Sequence, residues 1–439
     1  MSLTKVHNRM VQNGEINVID YGADPTGIAD STAAIQLALD TRNNVFIPAG
    51  TYKITATLEP YRGQIIRGEG NVERSLQSTE PASTLSVATD VTAFDTVPNT
   101  AYACSIKNLY IIAEDQTHGS GKYGIKIGTK GSSGGSSQGI KCLIEDVLCR
   151  GFDICFGSYG YGWEVTFNRC VADYHRSIGF EFADAFTVVS ANDCTAMLGG
   201  VAYGTDSAQL AIGMVFEGGT SALGDQVHIT MPRLENNLDG GIKISGNAKI
   251  FIDSFYGEGN RFYDIFTTGT FEGQVVVSGG VFIHENDGAN TIAAVRNTSS
   301  NKCFIRVTGA KFGLGNSTTN TTSAGFYYGE STAPMVIIEG LNVEGDVSKM
   351  SSGNKKVVYL SQGGRYAPSE FSVADLPNVK FYRSGTSHVA HVYNATPASL
   401  LISDGTNTFD MLTDNSLAFS GGNIYSYDLG TTTWNIIAP

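Results

Sequence analysis

An all-β solenoid, a chain wound into stacked coils of short strands, is the fold class this sequence predicts, and three observations point to it. The first is composition. The 439 residues include 52 Gly against 11 Pro, and only 16% are charged; such glycine-rich, weakly charged, β-branched chains suit many short strands joined at tight corners. The second is an inexact internal repeat, with Cys149, Cys170, Cys194, Phe216, Leu234 and Phe255 recurring at intervals of 21, 24, 22, 18 and 21 residues. Small and aromatic residues stacked once per turn are what the interior column of a solenoid needs. The third is the stretch from Asn17 to Gln36, which reads as an end cap.

The cap justifies itself residue by residue. Asn17-Val18-Ile19-Asp20 predicts a short apolar strand, Gly22 breaks it, and Pro25-Thr26-Gly27 makes a turn. Asp30-Ser31 supplies a side-chain acceptor where a helix begins, and Thr32 to Leu39 has helical spacing with Ile35 and Leu39 on one face. A second strand, Val45-Phe46-Ile47, leads through Pro48-Ala49-Gly50-Thr51-Tyr52-Lys53-Ile54 to Ile65-Ile66-Arg67-Gly68-Glu69-Gly70.

Taken in that order, the runs NVIDYGADPTG, DSTAAIQLAL, FIPAGTYKI and IIRGEG closely resemble the opening of the pectate-lyase-like, single-stranded right-handed β-helix proteins. Within them the resemblance is to bacteriophage tailspikes. It covers about residues 17 to 70 and implies a right-handed parallel β-helix whose N-terminal end these residues cap. It speaks for fold and says little about chemistry.

Four segments follow. Residues 1–16 form a lead-in in which Leu3, Val6, Met10 and Val11 recur at helical intervals, too short to hold a helix alone in water; the resemblance implies three copies packing at the head of a homotrimer. Residues 17–103 make the cap and first coils, and residues 104–365 the β-helix with its sugar-binding surface. Coils around Val277–Phe282, Val307–Phe312 and Ile338–Val343 are spaced more widely. Composition shifts near Gly363-Gly364, and 366–439 reads as a β-rich C-terminal domain that alternates without the repeat. In tailspikes such a domain interlocks three chains, and an open end of stacked strands needs cover.

Several functions are disfavoured. A net charge of -13 argues against nucleic acid, since phosphate neutralisation needs clustered Lys and Arg. No run approaches the roughly 20 apolar residues that span a bilayer, and no charged-then-apolar signal opens the chain. The expectation is no membrane insertion and no export by that route. The seven cysteines lack zinc spacings and read as buried thiols suited to a reducing cytoplasm. The run Gly128 to Gly139 lacks the context of a phosphate loop and reads as a flexible surface loop. Pectate lyases hold calcium with acidic residues on neighbouring coils, but here Asp146 is followed by Arg169 and then Asp193. No metal or cofactor is expected.

Chemistry is read from register. If the repeat residues point inward, alternation sends their successors outward: Arg150, Val171, Thr195, Glu217, Glu235 and Tyr256 in one column, then Phe152, Asp173, Met197, Gly219, Asn237 and Glu258 in a second. Coils lie about 4.8 Å apart, so Glu217 and Glu235 would stand roughly 5 Å apart, with Glu258 about 8 Å from Glu235. Two carboxylates so close hold a proton between them, an acid beside a base. About 5 Å suits a retaining glycosidase and about 8 Å an inverting one.

Asp173-Tyr174-His175-Arg176 offers a rival set for a lyase, which needs a base and a cation beside a uronate carboxylate; adjacent residues do not face one way on a strand, so a polar turn is the competing reading. Glu164, Glu181 and Asp184 are weaker candidates. Tyr159, Tyr161 and Trp163 alternate with Gly and would stack on sugar rings if exposed; the competing reading is a buried aromatic loop. Asn260, Arg261, Phe262 and Tyr263 form a second lip. The substrate-binding set is Tyr159, Tyr161, Trp163, Arg176, Asn237 and Tyr256, and the catalytic set Glu217, Glu235, Glu258, Asp173 and His175. With the resemblance, these imply a tailspike on a virion tail that binds bacterial capsule or O-antigen polysaccharide and hydrolyses it. The alternatives are a lyase, a non-catalytic receptor-binding fibre, or a bacterial pectinase-like enzyme.

Overall fold

The computed structural model describes residues 14–360 apart from 71–81, 100–101, 115–120, 132–140, 161–162, 185–187, 201–209, 220–224, 285–292, 300, 302, 315–324, 330–334, 345–350 and 354–356, together with six strands between 393 and 438. The described coils form a right-handed parallel β-helix. Each coil lays down three strands. In one, Trp163–Asn168 lies on the first face, Val171–Asp173 on the second and Ile178–Ala183 on the third. The next coil repeats them as Val188–Asn192, Thr195–Met197 and Ile212–Glu217.

Corners between faces are made by single residues in the left-handed region. Asn108, Asp146, Arg169, Asp193, Met231 and Ser254 turn the first face into the second, and Gly279, Gly309 and Gly340 continue that column. Tyr174, Leu198 and Asn236, with Gly151 and Gly259, turn the second into the third. An L-residue is disfavoured there. The ladder compensates: the Tyr174 N–H donates to the Met197 carbonyl, Leu198 to Glu235 and Asn236 to Glu258, so each corner is fastened to the next coil.

The interior is packed with aromatic and aliphatic columns. Phe156 stacks on Phe180 at 4.7 Å between ring centroids, Phe182 on Phe216 at 4.8 Å, and Phe167 meets Phe180 and Phe182 edge-on. The seven cysteines are free and buried.

The cap differs from the expected one in detail. Strand Ile16–Asn17 is only two residues long, because Asn17 accepts from the Ile19 N–H and a 3-10 turn takes Val18–Tyr21. Helix Thr32–Asp40 starts where expected and buries Ile35 and Leu39. The acceptor at its start is Asp30, which takes the Thr32 N–H at 3.0 Å. Ser31 instead accepts the Asp24 N–H. The six strands between 393 and 438 pair antiparallel, unlike the coils.

Register corrects the repeat. Phe216 sits on the third face of the coil that carries Thr195 on its second, so it is not a coil of its own. Cys170, Cys194 and Phe255 do share a column, immediately before the second-face strands; Cys149 and Leu234 lie two residues further along. The true outward columns are Leu148, Val171, Thr195, Arg233, Tyr256, Val281 and, beside it, Arg150, Asp173, Met197, Glu235, Glu258, Ile283.

Candidate functional site

Two of the expected carboxylates therefore meet, but not with the expected neighbours. Glu235 and Glu258 are direct register partners on adjacent coils, with strands about 4.8 Å apart in place of the 8 Å diagonal. Arg233 pairs with Tyr256 in the neighbouring column, two residues before each acid. The Tyr256 hydroxyl donates to Glu258 Oε2. Arg233, Glu235 and Tyr256 lie along an open groove of about 590 Å³ that Met231, Ser254, Phe255, Gly280 and Val281 also line; Glu258 is not among its lining residues and reaches it through Tyr256. Gly280 lets two coils approach at the groove: its φ is 124°, and a Cβ there would lie 2.6 Å from the Phe255 carbonyl oxygen. Arg233 went unnoticed in the sequence because the repeat placed Glu235 at its position.

The remaining candidates fall elsewhere. Glu217 is on the third face, where it pairs with Ala183 and Ser245. Lys130 joins it at 3.2 Å to Glu181, which lies 2.6 Å from the same ammonium. Burial works against the charge on Lys130, and the two carboxylates overcome it and raise its pKa. Glu181 is buried and also accepts the Tyr159 hydroxyl; Asp184 accepts the Gly131 N–H. This cluster fastens the start of the glycine-rich run, 128–131, onto the third face. Tyr159 is itself fully buried, with its ring folded over Gly157 and meeting Tyr123 edge-on, so it offers no stacking face to a sugar. Tyr161 lies outside the described residues. Trp163 begins the strand Trp163–Asn168. Glu164 is exposed on a left-handed bulge and pairs with Lys141 at 3.4 Å.

The lyase set comes apart for a stated reason. Asp173 is 2% exposed and ion-paired with Arg150, at 2.7 Å and 2.8 Å from two guanidinium nitrogens. Tyr174 then takes the left-handed corner, which sends His175 inward. His175 is fully buried and neither ring nitrogen has a hydrogen-bond partner among the described residues. Burial holds its pKa down at about 3. Gly199 makes room for it, since a Cβ there would lie 2.2 Å from His175 Nε2 and 2.7 Å from Asn237 Oδ1. Arg176 is exposed at the turn into the third face, away from the groove.

Asn237 is likewise interior. Its Nδ2 donates to the Ala196 carbonyl and to Asn260 Oδ1, and Asn260 donates to the Leu234 carbonyl and to Asp264. A buried asparagine ladder satisfies corner carbonyls; it does not bind substrate. Of the second lip, Asn260 and Tyr263 are buried, while Arg261 stacks on Phe262, 5.1 Å from the ring centroid. At the first corner Arg169 forks onto Asp146, 2.7 Å to each oxygen, and reaches Glu145 at 3.1 Å.

Comparison with known proteins agrees with this architecture. Residues 15–195 match the family model described as "Rhamnogalacturonase A/epimerase, pectate lyase-like". Those residues are similar to that family, and the described coils share its right-handed parallel β-helix fold. Among solved structures, it is similar to the A-module of the mannuronan C-5 epimerase AlgE4 from Azotobacter vinelandii, with TM-score 0.53, 16% identity, and coverage of 80% of this chain and 98% of that one. It is also similar to the tailspike protein of an Acinetobacter phage, with TM-score 0.51, 14% identity, and coverage of 97% of this chain and 84% of that one. No curated protein matches the sequence. At these identities the likeness is one of fold. Among the described residues, no helix is long and apolar enough to cross a membrane.

Proposed function

We propose that the protein is a tailspike-type polysaccharide depolymerase that binds bacterial surface polysaccharide in the second-face groove and hydrolyses it with Glu235 and Glu258. The observation that carries the reading is the direct register of these two carboxylates, with Glu235 lining the groove and Glu258 held by the groove residue Tyr256. Glycoside hydrolysis needs one carboxylic acid to protonate the leaving oxygen and one carboxylate to attack or to activate water. The Tyr256 hydroxyl donates to Glu258, which orients that carboxylate as the nucleophile and gives Glu235, in the groove lining, the role of general acid. Backbone spacing near 4.8 Å suits the shorter, retaining geometry. Arg233, beside Tyr256, would hold a substrate oxygen or carboxylate. The fold shared with a phage tailspike and with an epimerase of a polysaccharide supports the substrate class.

A second reading, β-elimination, has its own observation: Tyr256 and Arg233 are register partners in the same groove, and a phenol beside a guanidinium is a base with a charge stabiliser. A combined assay on capsular and O-antigen polysaccharides separates the two. Hydrolysis gives new reducing ends without ultraviolet absorbance; elimination gives an absorbing unsaturated uronate. Sugar that binds without either product would make the protein an adhesin. Assembly as a homotrimer on a virion tail belongs to the same proposal, and light scattering giving a monomer at micromolar concentration would end it.

A further inference from the structure

Two cysteines on neighbouring coils face each other inside the helix, and neither takes part in the chemistry of the groove. Cys104 and Cys142 stand immediately before the register partners Ser105 and Leu143, so they occupy matching positions on adjacent coils. Both are buried and reduced, and their thiols hydrogen-bond to each other with 3.6 Å between the sulfurs. The Leu143 N–H donates to the Cys104 carbonyl at 3.0 Å and the Thr166 N–H to the Cys142 carbonyl at 2.9 Å, which fixes the backbone beside each thiol. Other interior thiols point at the main chain: Cys155 donates to the Cys149 carbonyl, Cys170 to that of Ile144 and Cys194 to that of Phe167.

From this placement we infer that Cys104 and Cys142 form a redox-active dithiol, which hydrogen peroxide closes to a disulfide that staples two coils together. Matching positions on adjacent coils lie about 4.8 Å apart, inside the range of about 4.4–6.8 Å between the α-carbons of a disulfide. The sulfurs have only to close from 3.6 Å to about 2.05 Å, a movement of side chains alone. Each cysteine directly follows an exposed corner residue in the left-handed region, Ala103 with φ 55° and Lys141 with φ 54°, so the pair lies one residue in from the surface, and peroxide is small enough to follow. With the Cys104 thiol as donor, its hydrogen bond holds the Cys142 thiol below the ordinary range and makes Cys142 the nucleophile. The Cys142 thiolate attacks one peroxide oxygen, the O–O bond breaks, and the other oxygen leaves as hydroxide and takes up the thiol's proton as water. Cys142 is then a sulfenic acid. Cys104 attacks its sulfur, the S–O bond breaks, and the hydroxyl departs with the Cys104 proton as a second water. Two thiols are oxidised and one peroxide is reduced. The staple closes the chain across 38 residues, against 24 between Cys170 and Cys194, and encloses the glycine-rich run from Gly128 to Gly139; closing the longer loop removes more freedom from the unfolded chain. None of this depends on the polysaccharide reading.

The test is a thiol count on the full-length protein, reduced, freed of reductant and held with hydrogen peroxide in native buffer, the reaction being stopped with catalase and the thiols titrated in guanidinium. The protein should lose two of its seven thiols and regain both with dithiothreitol. Tryptic mapping without reduction should join the peptide 75–107 to the peptide 142–150, with fragmentation placing the bond on Cys142 and not on Cys149. Cys104→Ser under the same treatment should form no disulfide, and the cross-linked wild type should unfold in urea with an equilibrium constant lowered about 30-fold or more. An unchanged thiol count, a bond between any other two cysteines, a loss that dithiothreitol does not reverse, or cross-linked protein with an unchanged urea midpoint overturns the assignment. The count and the map are read on the wild type, so they decide the matter even if the variant fails to fold.

Discussion

Replacing His175 by Leu should remove a specific part of the protein's sensitivity to acid. The imidazole is fully buried, and burial holds its pKa at about 3 in the folded chain against about 6.5 in the unfolded one. Above pH 6.5 the group is neutral in both states and has no effect on the slope. Below 6.5 the unfolded chain takes up a proton that the folded chain refuses, so stability falls as pH falls until the folded pKa is reached. The loss approaches about 1.4 kcal/mol per pH unit. Between pH 6.5, where the unfolded group is already half protonated, and pH 4.5 that amounts to about 2.3 kcal/mol. Carboxylates titrate in the same range, but they are common to both proteins and cancel in the difference. Guanidinium unfolding followed by circular dichroism at pH 7.5, 6.5, 5.5 and 4.5 would measure it. The wild type should lose about 2.3 kcal/mol more than His175→Leu between pH 6.5 and 4.5. Parallel stability curves, or a His175 ring that titrates near 6.5 in the folded protein, would refute the reasoning.

Other consequences follow from packing and pairing. Phe182→Ala opens the interior stack beneath Phe216 and should cost about 3–5 kcal/mol by denaturant unfolding. Arg150→Ala strands the buried Asp173 carboxylate and should cost about 3–5 kcal/mol at pH 7, with most of the loss recovered when Asp173→Ala is added. Gly199→Ala places a methyl against His175 and Asn237; it should cost about 1–3 kcal/mol, a cost relieved in the His175→Ala background.

Fold was legible because the cap is read from local chemistry: an Asp beside the helix start, Ile35 and Leu39 on one face, Gly and Pro where the chain turns. The outward placement of Glu235 and Glu258 was legible as well, since Glu235 directly follows the inward Leu234 and Glu258 stands three residues after the inward Phe255. What failed was counting. The coil carrying Thr195 runs through 201–209 before reaching its third-face strand, so Phe216 looked like a separate coil and Glu217 like a neighbour of Glu235. Alternation also fails at the corners. Tyr174 and Asn236, each in the left-handed region, turn the chain so that the next residue points inward; His175 and Asn237 were read as surface groups for that reason.

Comparing Glu235→Gln and Glu258→Gln with Glu217→Gln in a reducing-end assay, on a polysaccharide the wild type cleaves, tests the central claim most directly. The pair at the groove predicts that each of the first two lowers turnover by about 10²–10⁴ while Glu217→Gln, on another face and paired with Lys130, stays within a few-fold of wild type. Full activity in Glu235→Gln and Glu258→Gln, with loss in Glu217→Gln, would move the chemistry to the third face and contradict the account.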